Sequence, residues 1–144
     1  MENPECLKLD NQLCFPLYVI AKEMTGLYRP FLDELDITYP QYLVMMVLWE
    51  HDGLPVSSIG EKLYLDSGTL TPLLKRLEAK GFISRKRKKE DERVVEVFIT
   101  EPGKALQLKA CEIPGKLLKK IDAAPEDWIA LKESVQKILN KIEK

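Results

Sequence analysis

Two groups of residues in this chain have types and spacings that can do chemistry. The first is Leu63-Tyr64-Leu65-Asp66-Ser67-Gly68-Thr69-Leu70-Thr71-Pro72-Leu73-Leu74-Lys75-Arg76-Leu77-Glu78, followed shortly by the basic run Arg85-Lys86-Arg87-Lys88-Lys89. Short hydrogen-bonding side chains head a leucine-spaced helix, and a cationic turn follows between two apolar stretches. That is the sequence form of a helix read into a major groove with a basic hairpin beside it. The second group is Cys14 with Tyr18 four residues on and Tyr28 further along. A thiol becomes a nucleophile as its thiolate, which a helix start favours.

In the first group, Asp66, Ser67, Gly68, Thr69 and Thr71 are short enough to let the helix start approach base edges. Gly68 permits close backbone approach. Pro72 lacks an N–H, so it is expected within the first turn or at a slight bend. Lys75 and Arg76 suit phosphate or guanine contact. Arg85, Lys86, Arg87, Lys88, Lys89 and Arg93 supply the hairpin's cations, and Asp91 is placed to orient Arg93 for insertion into a minor groove. Leu70, Leu73, Leu74 and Leu77 seat the helix on a core whatever the polar residues do.

In the second group, Cys14 falls in the first turns of a long helix, where unsatisfied N–H groups and the helix dipole favour an anion. Pro16 belongs in that first turn or kinks the helix close to the sulfur. Tyr18 stands at i+4 from Cys14 and shares its face. Tyr28 is 14 residues on, about 21 Å along a straight helix. It reaches a thiol only if the helix breaks or if a partner subunit crosses antiparallel. The bland alternative for Cys14 is a small buried hydrophobe.

The elements that position these residues follow from periodicity. A single helix is expected from about Leu9 to Leu35, weakened by Gly26 and Pro30. Thr38 caps a second, with Pro40 in its first turn and Tyr42 to Trp49 apolar. His51 to Pro55 breaks it, with His51 structural. Ser57 caps a short helix, Ser58 to Leu63, with Glu61 near the reciprocal capping position. A turn at Tyr64-Leu65 leads to the leucine helix, which Gly81 stops. Phe82 to Arg87 and Val94 to Thr100 read as hairpin strands. A helix opens at Thr100-Glu101-Pro102 toward Cys111, and Pro114-Gly115 disturbs the chain before Lys116 to Ile121. A last amphipathic helix starts at Pro125, with Trp128, Leu131, Val135, Ile138, Leu139 and Ile142 inward. The fold class is mainly α with a small β-hairpin wing: a winged helix-turn-helix over about residues 37–100. Residues of about 1–36 and 101–144 form helices whose leftover apolar faces suit a dimer, and two-fold symmetry suits a pseudo-palindromic duplex.

Composition agrees with that class. The 144 residues carry 22 Lys/Arg against 23 Asp/Glu, a net charge of -1. Between Lys75 and Arg93, however, nine Lys/Arg face four Asp/Glu, while residues 1–74 hold four against eleven. A cationic patch on an acidic protein is the footprint of a phosphate-backbone contact. No apolar run nears the roughly 18 residues that span a bilayer. The start, Met-Glu-Asn-Pro-Glu-Cys, lacks the apolar stretch of a secretory signal, so a cytoplasmic location is expected. Cys6, Cys14 and Cys111 form no metal-binding spacing, and no metal or cofactor is expected.

The recognition stretch Leu63 to Glu78, with Asp91-Glu92-Arg93, resembles the MarR family of dimeric repressors. More narrowly, Leu9-Asp10-Asn11-Gln12-Leu13-Cys14-Phe15 and Ile37-Thr38-Tyr39-Pro40-Gln41-Tyr42 resemble its organic hydroperoxide resistance regulator branch. The resemblance spans nearly the whole chain. It implies a homodimer that leaves its operator when Cys14 is oxidised by an organic hydroperoxide, with Tyr28 and Tyr39 hydrogen-bonding the sulfur of the other chain. Pro16 departs from the aliphatic residue usual there. Some family members pair the sensing thiol with a second cysteine nearer the final helix, which Cys111 does not clearly match. A one-cysteine sensor trapped by a small thiol as a mixed disulfide is therefore expected, with Cys6 or Cys111 a weak resolving candidate. Two readings compete: a regulator of the same fold that binds a small aromatic molecule with Cys14 inert, and a thiol peroxidase. The peroxidase lacks a resolving CxxC, lacks a cation near Cys14 in sequence, and leaves the basic wing unexplained.

Overall fold

Three helix endings set the shape of the N-terminal part. Asp36 and Tyr64 adopt left-handed backbone at φ 56° and 58°, and Gly81 at φ 83°. At each, the next residue's N–H reaches back to close the helix: Ile37 to Leu32 O, Leu65 to Gly60 O and Phe82 to Leu77 O. These closures satisfy carbonyls that a helix end leaves bare, and they reverse the chain direction. The computed structural model describes residues 4–143; the first three residues of the acidic lead, read above as no secretory signal, lie outside the described residues.

In chain order the structure holds α1 (Cys14–Glu34), α2 (Tyr39–Glu50), β1 (Leu54–Pro55), α3 (Val56–Leu63), α4 (Ser67–Ala79), β2 (Ile83–Lys88), β3 (Asp91–Ile99), α5 (Glu101–Ala110), α6 (Ile113–Ile121) and α7 (Pro125–Ile142). Two 3-10 turns, Glu5–Leu7 and Leu9–Asn11, precede α1. The strands form one antiparallel sheet in the order β1-β3-β2. The chain divides into two compact units, one ending at Cys111 and one beginning at Glu112. The core of the first is built from Leu32, Val44, Met45, Leu48, Ile59, Leu70, Leu74, Leu77, Ile83 and Val97, each at most 2% exposed. α5 belongs to this unit, although its sequence groups it with the C-terminal helices. The Trp49 indole donates to Gly103 O at 2.9 Å and ties α5 to α2.

Several boundaries differ from the sequence expectation. α1 starts at Cys14, not Leu9, because the preceding residues prefer 3-10 turns held by side chains. Asn11 Nδ2 donates to Glu5 O at 2.7 Å, and Gln12 Nε2 to Cys6 O at 2.8 Å. Cys6 therefore sits in an ordered turn. α3 starts at Val56 with Pro55 before it, so Ser57 lies inside the first turn and caps nothing. The chain was committed earlier, because Leu54 and Pro55 pair with Val97 and Glu96 as a third strand. The wing arms are longer than expected: β2 and β3 reach Lys88 and Asp91, leaving Lys89-Glu90 as the turn, with a register shift between Arg87 and Lys88. The interruption expected at Pro114-Gly115 falls just before them, at Cys111-Glu112, so α6 starts at Ile113 with Pro114 in its first turn.

Thr38 caps α2 as expected, and Gln41 completes a reciprocal capping box with it. Thr100 caps α5, accepting from Gly103 N–H at 3.2 Å. In the second unit, α6 buries Ile113 and Leu117. α7 buries no residue, and Leu131, Val135, Ile138 and Ile142, expected inward, are 40% to 68% exposed. Amphipathic periodicity identifies the apolar side of a helix but not what covers it.

Of the glycines, Gly103 leaves the least room for a side chain. A Cβ there would lie 2.2 Å from Phe82 O and 2.8 Å from Ile99 Cγ1. The contact seats α5 on the root of the wing. Gly103→Ala is expected to destabilise the protein by about 2 kcal/mol or more, by forcing backbone apart. Chemical denaturation of the purified variant measures it, and stability equal to wild type would contradict this packing.

Candidate functional site

The start of α4 is built by one carboxylate. Asp66 is its N-cap, and its Oδ1 accepts from Thr69 N–H at 2.7 Å. That hydrogen bond holds the Asp66 carboxyl below the usual range, so it stays ionised where the helix dipole favours an anion. Leu70, Leu74 and Leu77 are buried on one side. Ser67, Gly68, Thr69, Pro72, Lys75 and Arg76 are exposed, and Thr71 is half-buried. A Cβ on Gly68 would touch nothing closer than Asp66 Oδ1 at 3.8 Å, so no internal contact requires glycine there. Pro72 stands beyond the first turn, inside the helix. It cannot donate to the Gly68 carbonyl, which sits on the exposed side with Ser67 and Thr69.

The wing sorts its cations. Arg93 forks onto Asp91, Nε to Oδ1 at 3.0 Å and Nη2 to Oδ2 at 3.1 Å, while its backbone N–H also donates to Oδ1. This contact keeps the Asp91 carboxyl low and leaves the Arg93 side chain 91% exposed. Arg87 Nη1 donates to Glu92 O across the hairpin at 2.8 Å. Lys86 lies over the Phe98 ring, 5.6 Å from its centre. Lys88 and Lys89 are exposed at the tip. Arg85 is turned inward onto Glu78 of α4. The end of α4 also meets the α1–α2 corner, where Lys80 Nζ donates to Asp36 O.

Cys14 is the first residue of α1, exposed, with Leu13 before it providing no side-chain cap. Pro16 falls in that first turn. Tyr18, one turn on, is 67% exposed. Within the chain, Tyr28 and Tyr39 come together with ring centres 4.9 Å apart. Sequence reasoning missed Tyr42, which joins them at 5.8 Å from Tyr28 and 6.2 Å from Tyr39, and is only 3% exposed. The i,i+3 spacing of Tyr39 and Tyr42 behind a Thr38 cap is the signal that would have found it. Burial, aided by the neighbouring phenols, pushes Tyr28 up to about 12, and burial also raises Tyr39 and Tyr42. The three phenols are thus hydrogen-bond donors at any physiological pH. His51 ends α2, exposed, 3.5 Å from Glu50. Among the described residues no cluster could hold a metal ion, and no helix is long and apolar enough to cross a membrane.

Residues 26–108 match the family model described as transcriptional regulator SarA/Rot. The organic hydroperoxide resistance transcriptional regulator of Bacillus subtilis is 52% identical over 143 residues, covering 99% of this chain and 97% of that protein. The chain belongs to the MarR family, in its organic hydroperoxide resistance regulator branch. The structure of reduced AbfR bound to DNA, from Staphylococcus epidermidis, aligns with a TM-score of 0.82 and 36% identity, covering 99% of this chain and all of that one. The apo form of MarR from E. coli, 24% identical over 89% of this chain and 97% of its own, shares the fold at a TM-score of 0.72. The fold is a winged helix, and these relatives are transcriptional regulators rather than enzymes.

The phenol cluster gives the regulator a signature in alkali. Tyr28 has a folded pKa raised above the ordinary 10.0. Its contribution to stability is therefore complete below pH 10 and is lost as pH rises from 10 to about 12. Ultraviolet titration should show phenols ionising above the ordinary range, and Tyr28→Phe should remove the uppermost step. An unchanged titration curve in that variant would contradict the buried cluster.

Proposed function

We propose that this regulator is a DNA-binding repressor that senses organic hydroperoxides by oxidation of Cys14 and then releases its operator. The observation that carries the reading is the position of Cys14: an exposed thiol on the first residue of α1, in a chain 52% identical along its length to an organic hydroperoxide resistance regulator. α4 and the wing are the output. Ser67, Gly68, Thr69, Thr71 and Pro72 read base edges from the major groove, and Asp66 fixes the turn that presents them. Lys75 and Arg76 hold the flanking phosphates. Lys86, Arg87, Lys88, Lys89 and Arg93 contact backbone and minor groove, with Asp91 aiming Arg93.

The active form is a homodimer on a pseudo-palindromic duplex. Leu13 just before α1 and Phe15, Leu17, Val19 and Ile20 on it are 36% to 66% exposed, and α7 exposes Ile129, Leu131, Val135, Ile138 and Ile142. Apolar area of that extent on two amphipathic helices fits a second copy of the chain. The helices of 101–144 and the N-terminal 1–36 supply this region, and 37–100 the DNA module. In the dimer, Tyr28 and Tyr39 of one protomer face the thiol of the other, and Tyr18 lies beside the thiol of its own. The thiolate sulfur attacks the outer peroxide oxygen; an S–O bond forms, the O–O bond breaks, and the alkoxide leaves as an alcohol after protonation. Sulfur is oxidised by two electrons and the peroxide reduced. A small thiol then displaces water from the sulfenic acid and leaves a mixed disulfide.

A second reading has one observation in its favour. A cleft of about 630 Å³ between α1 and α2 is lined by Lys22, Glu23, Arg29, Asp33, Thr38 and Tyr39 among others, room for a small aromatic molecule.

Cumene hydroperoxide added to the protein on a palindromic duplex, selected by the wild-type chain from a randomised pool, separates the two. Wild type should release the duplex and gain a small-thiol adduct on Cys14 by mass spectrometry. Cys14→Ser should stay bound, and Tyr28→Phe or Tyr39→Phe should respond about tenfold or more slowly. Release of the Cys14→Ser protein by the peroxide would sink the sensor reading.

A further inference from the structure

Arg85 is counted among the wing's cations, yet its guanidinium does not face outward. Glu78, in the last turn of α4, receives three hydrogen bonds from it. Arg85 backbone N–H donates to Oε2 at 3.0 Å, Nη2 to Oε1 at 2.9 Å, and Nε to Oε1 at 3.3 Å. The Arg85 side chain keeps 25% of its accessible surface and that of Glu78 37%. The other wing guanidiniums are held within the hairpin itself, Arg87 by Glu92 O and Arg93 by Asp91. The Glu78–Arg85 pair instead crosses from α4 to β2. Between them the chain turns through Lys80, Gly81 at φ 83° and Phe82 before buried Ile83 begins the strand. Leu77 and Ile83 make the apolar root of that corner, and the ion pair braces it from outside.

A carboxylate near a duplex repels phosphate, and both Glu78 oxygens are already engaged by Arg85. We propose that Glu78 and Arg85 are positioning residues that set the angle between α4 and the wing, so that both engage one duplex together, and that Arg85 is not a phosphate contact. The proposal rests on the DNA-binding reading above. A rigid fork with two side-chain donors and one backbone donor on a single carboxylate fixes both direction and distance, which a lone lysine contact does not. The Arg85 hydrogen bonds also hold the Glu78 carboxyl below the usual range, so the brace persists in mild acid.

The sign of the effect separates bracing from electrostatics. Binding to the selected palindromic duplex and to a scrambled duplex of equal length is measured by fluorescence anisotropy over a salt series. Glu78→Gln should weaken the palindromic duplex roughly tenfold, while binding the scrambled duplex at least as tightly as wild type, because an anion has been removed. Arg85→Gln should weaken the palindromic duplex similarly without changing the slope of log K on log salt. Lys88→Gln, at the exposed tip, should lower that slope by about 0.9. The double variant at 78 and 85 should be no weaker than either single one.

Three results would overturn the proposal: tighter palindrome binding by Glu78→Gln, a slope loss of about 0.9 in Arg85→Gln, or wild-type affinity in Arg85→Lys, which keeps the charge without the fork. Thermal melting by circular dichroism identifies any variant that fails to fold, and Arg85→Lys then carries the test. Salt-independent association of the wild-type chain with both duplexes would instead defeat the DNA-binding reading itself.

Discussion

The face that α4 turns to solvent depends on the burial of three leucines. Leu70, Leu74 and Leu77 are at most 1% exposed, packed where α4 meets α2, α3 and β2. Their i, i+4, i+7 spacing fixes the rotation of α4 about its axis. Burial of a leucine is worth about 1.5–3 kcal/mol, so three of them hold the helix against any rolling that exposed polar contacts could drive. Once that rotation is set, Ser67, Gly68, Thr69, Pro72, Lys75 and Arg76 have no choice of side. The same constraint carries Glu78, one residue beyond Leu77, to the edge of the wing.

The features legible in the sequence were those decided by near neighbours. Thr38 before Tyr39-Pro40 marks a helix start by local hydrogen bonding, and Gly81 marks a helix end because it can take a positive φ. The leucine spacing of α4 shows its buried side without knowledge of the rest. What escaped was decided at a distance. Leu54 and Pro55 are a strand only because Val97 and Glu96 lie beside them, and once paired they move the start of α3 ahead of Ser57. Leu9 continues the stripe of α1 on paper, yet Asn11 and Gln12 side chains bond backward to Glu5 and Cys6 and hold the chain in 3-10 turns. Arg85 looks like its basic neighbours in sequence; its carboxylate partner is seven residues away across a reversal.

The same division applies to the thiol site. Periodicity put Cys14 inside the first turns of a helix begun at Leu9; that it is the first residue, and exposed, follows from the 3-10 turns before it. The Tyr28–Tyr39 contact depends on the reversal at Asp36, where a non-glycine residue holds φ 56°. That reversal folds α2 back so that Tyr42 completes the cluster. Nothing in the spacing of Tyr28 and Tyr39 alone requires them to meet. Tyr42, almost wholly buried, was hidden by being read as one more apolar position of α2.

The corner at Asp36 links the two halves of the site. On one side it brings the phenols together; on the other, Asp36 O accepts from Lys80 Nζ, and Lys80 is the residue that ends α4. A displacement of α1 relative to α2 therefore reaches α4 through a polar contact at its last turn, as well as through packing. Glu78 lies two residues before Lys80, so the brace to the wing and the tie to the α1–α2 corner act on the same turn. A force delivered at that turn meets a helix whose start is pinned separately by Asp66 and whose middle is pinned by leucines. The buried leucines resist rotation of α4, so such a force falls first on the α4–β2 junction that Glu78 and Arg85 bridge.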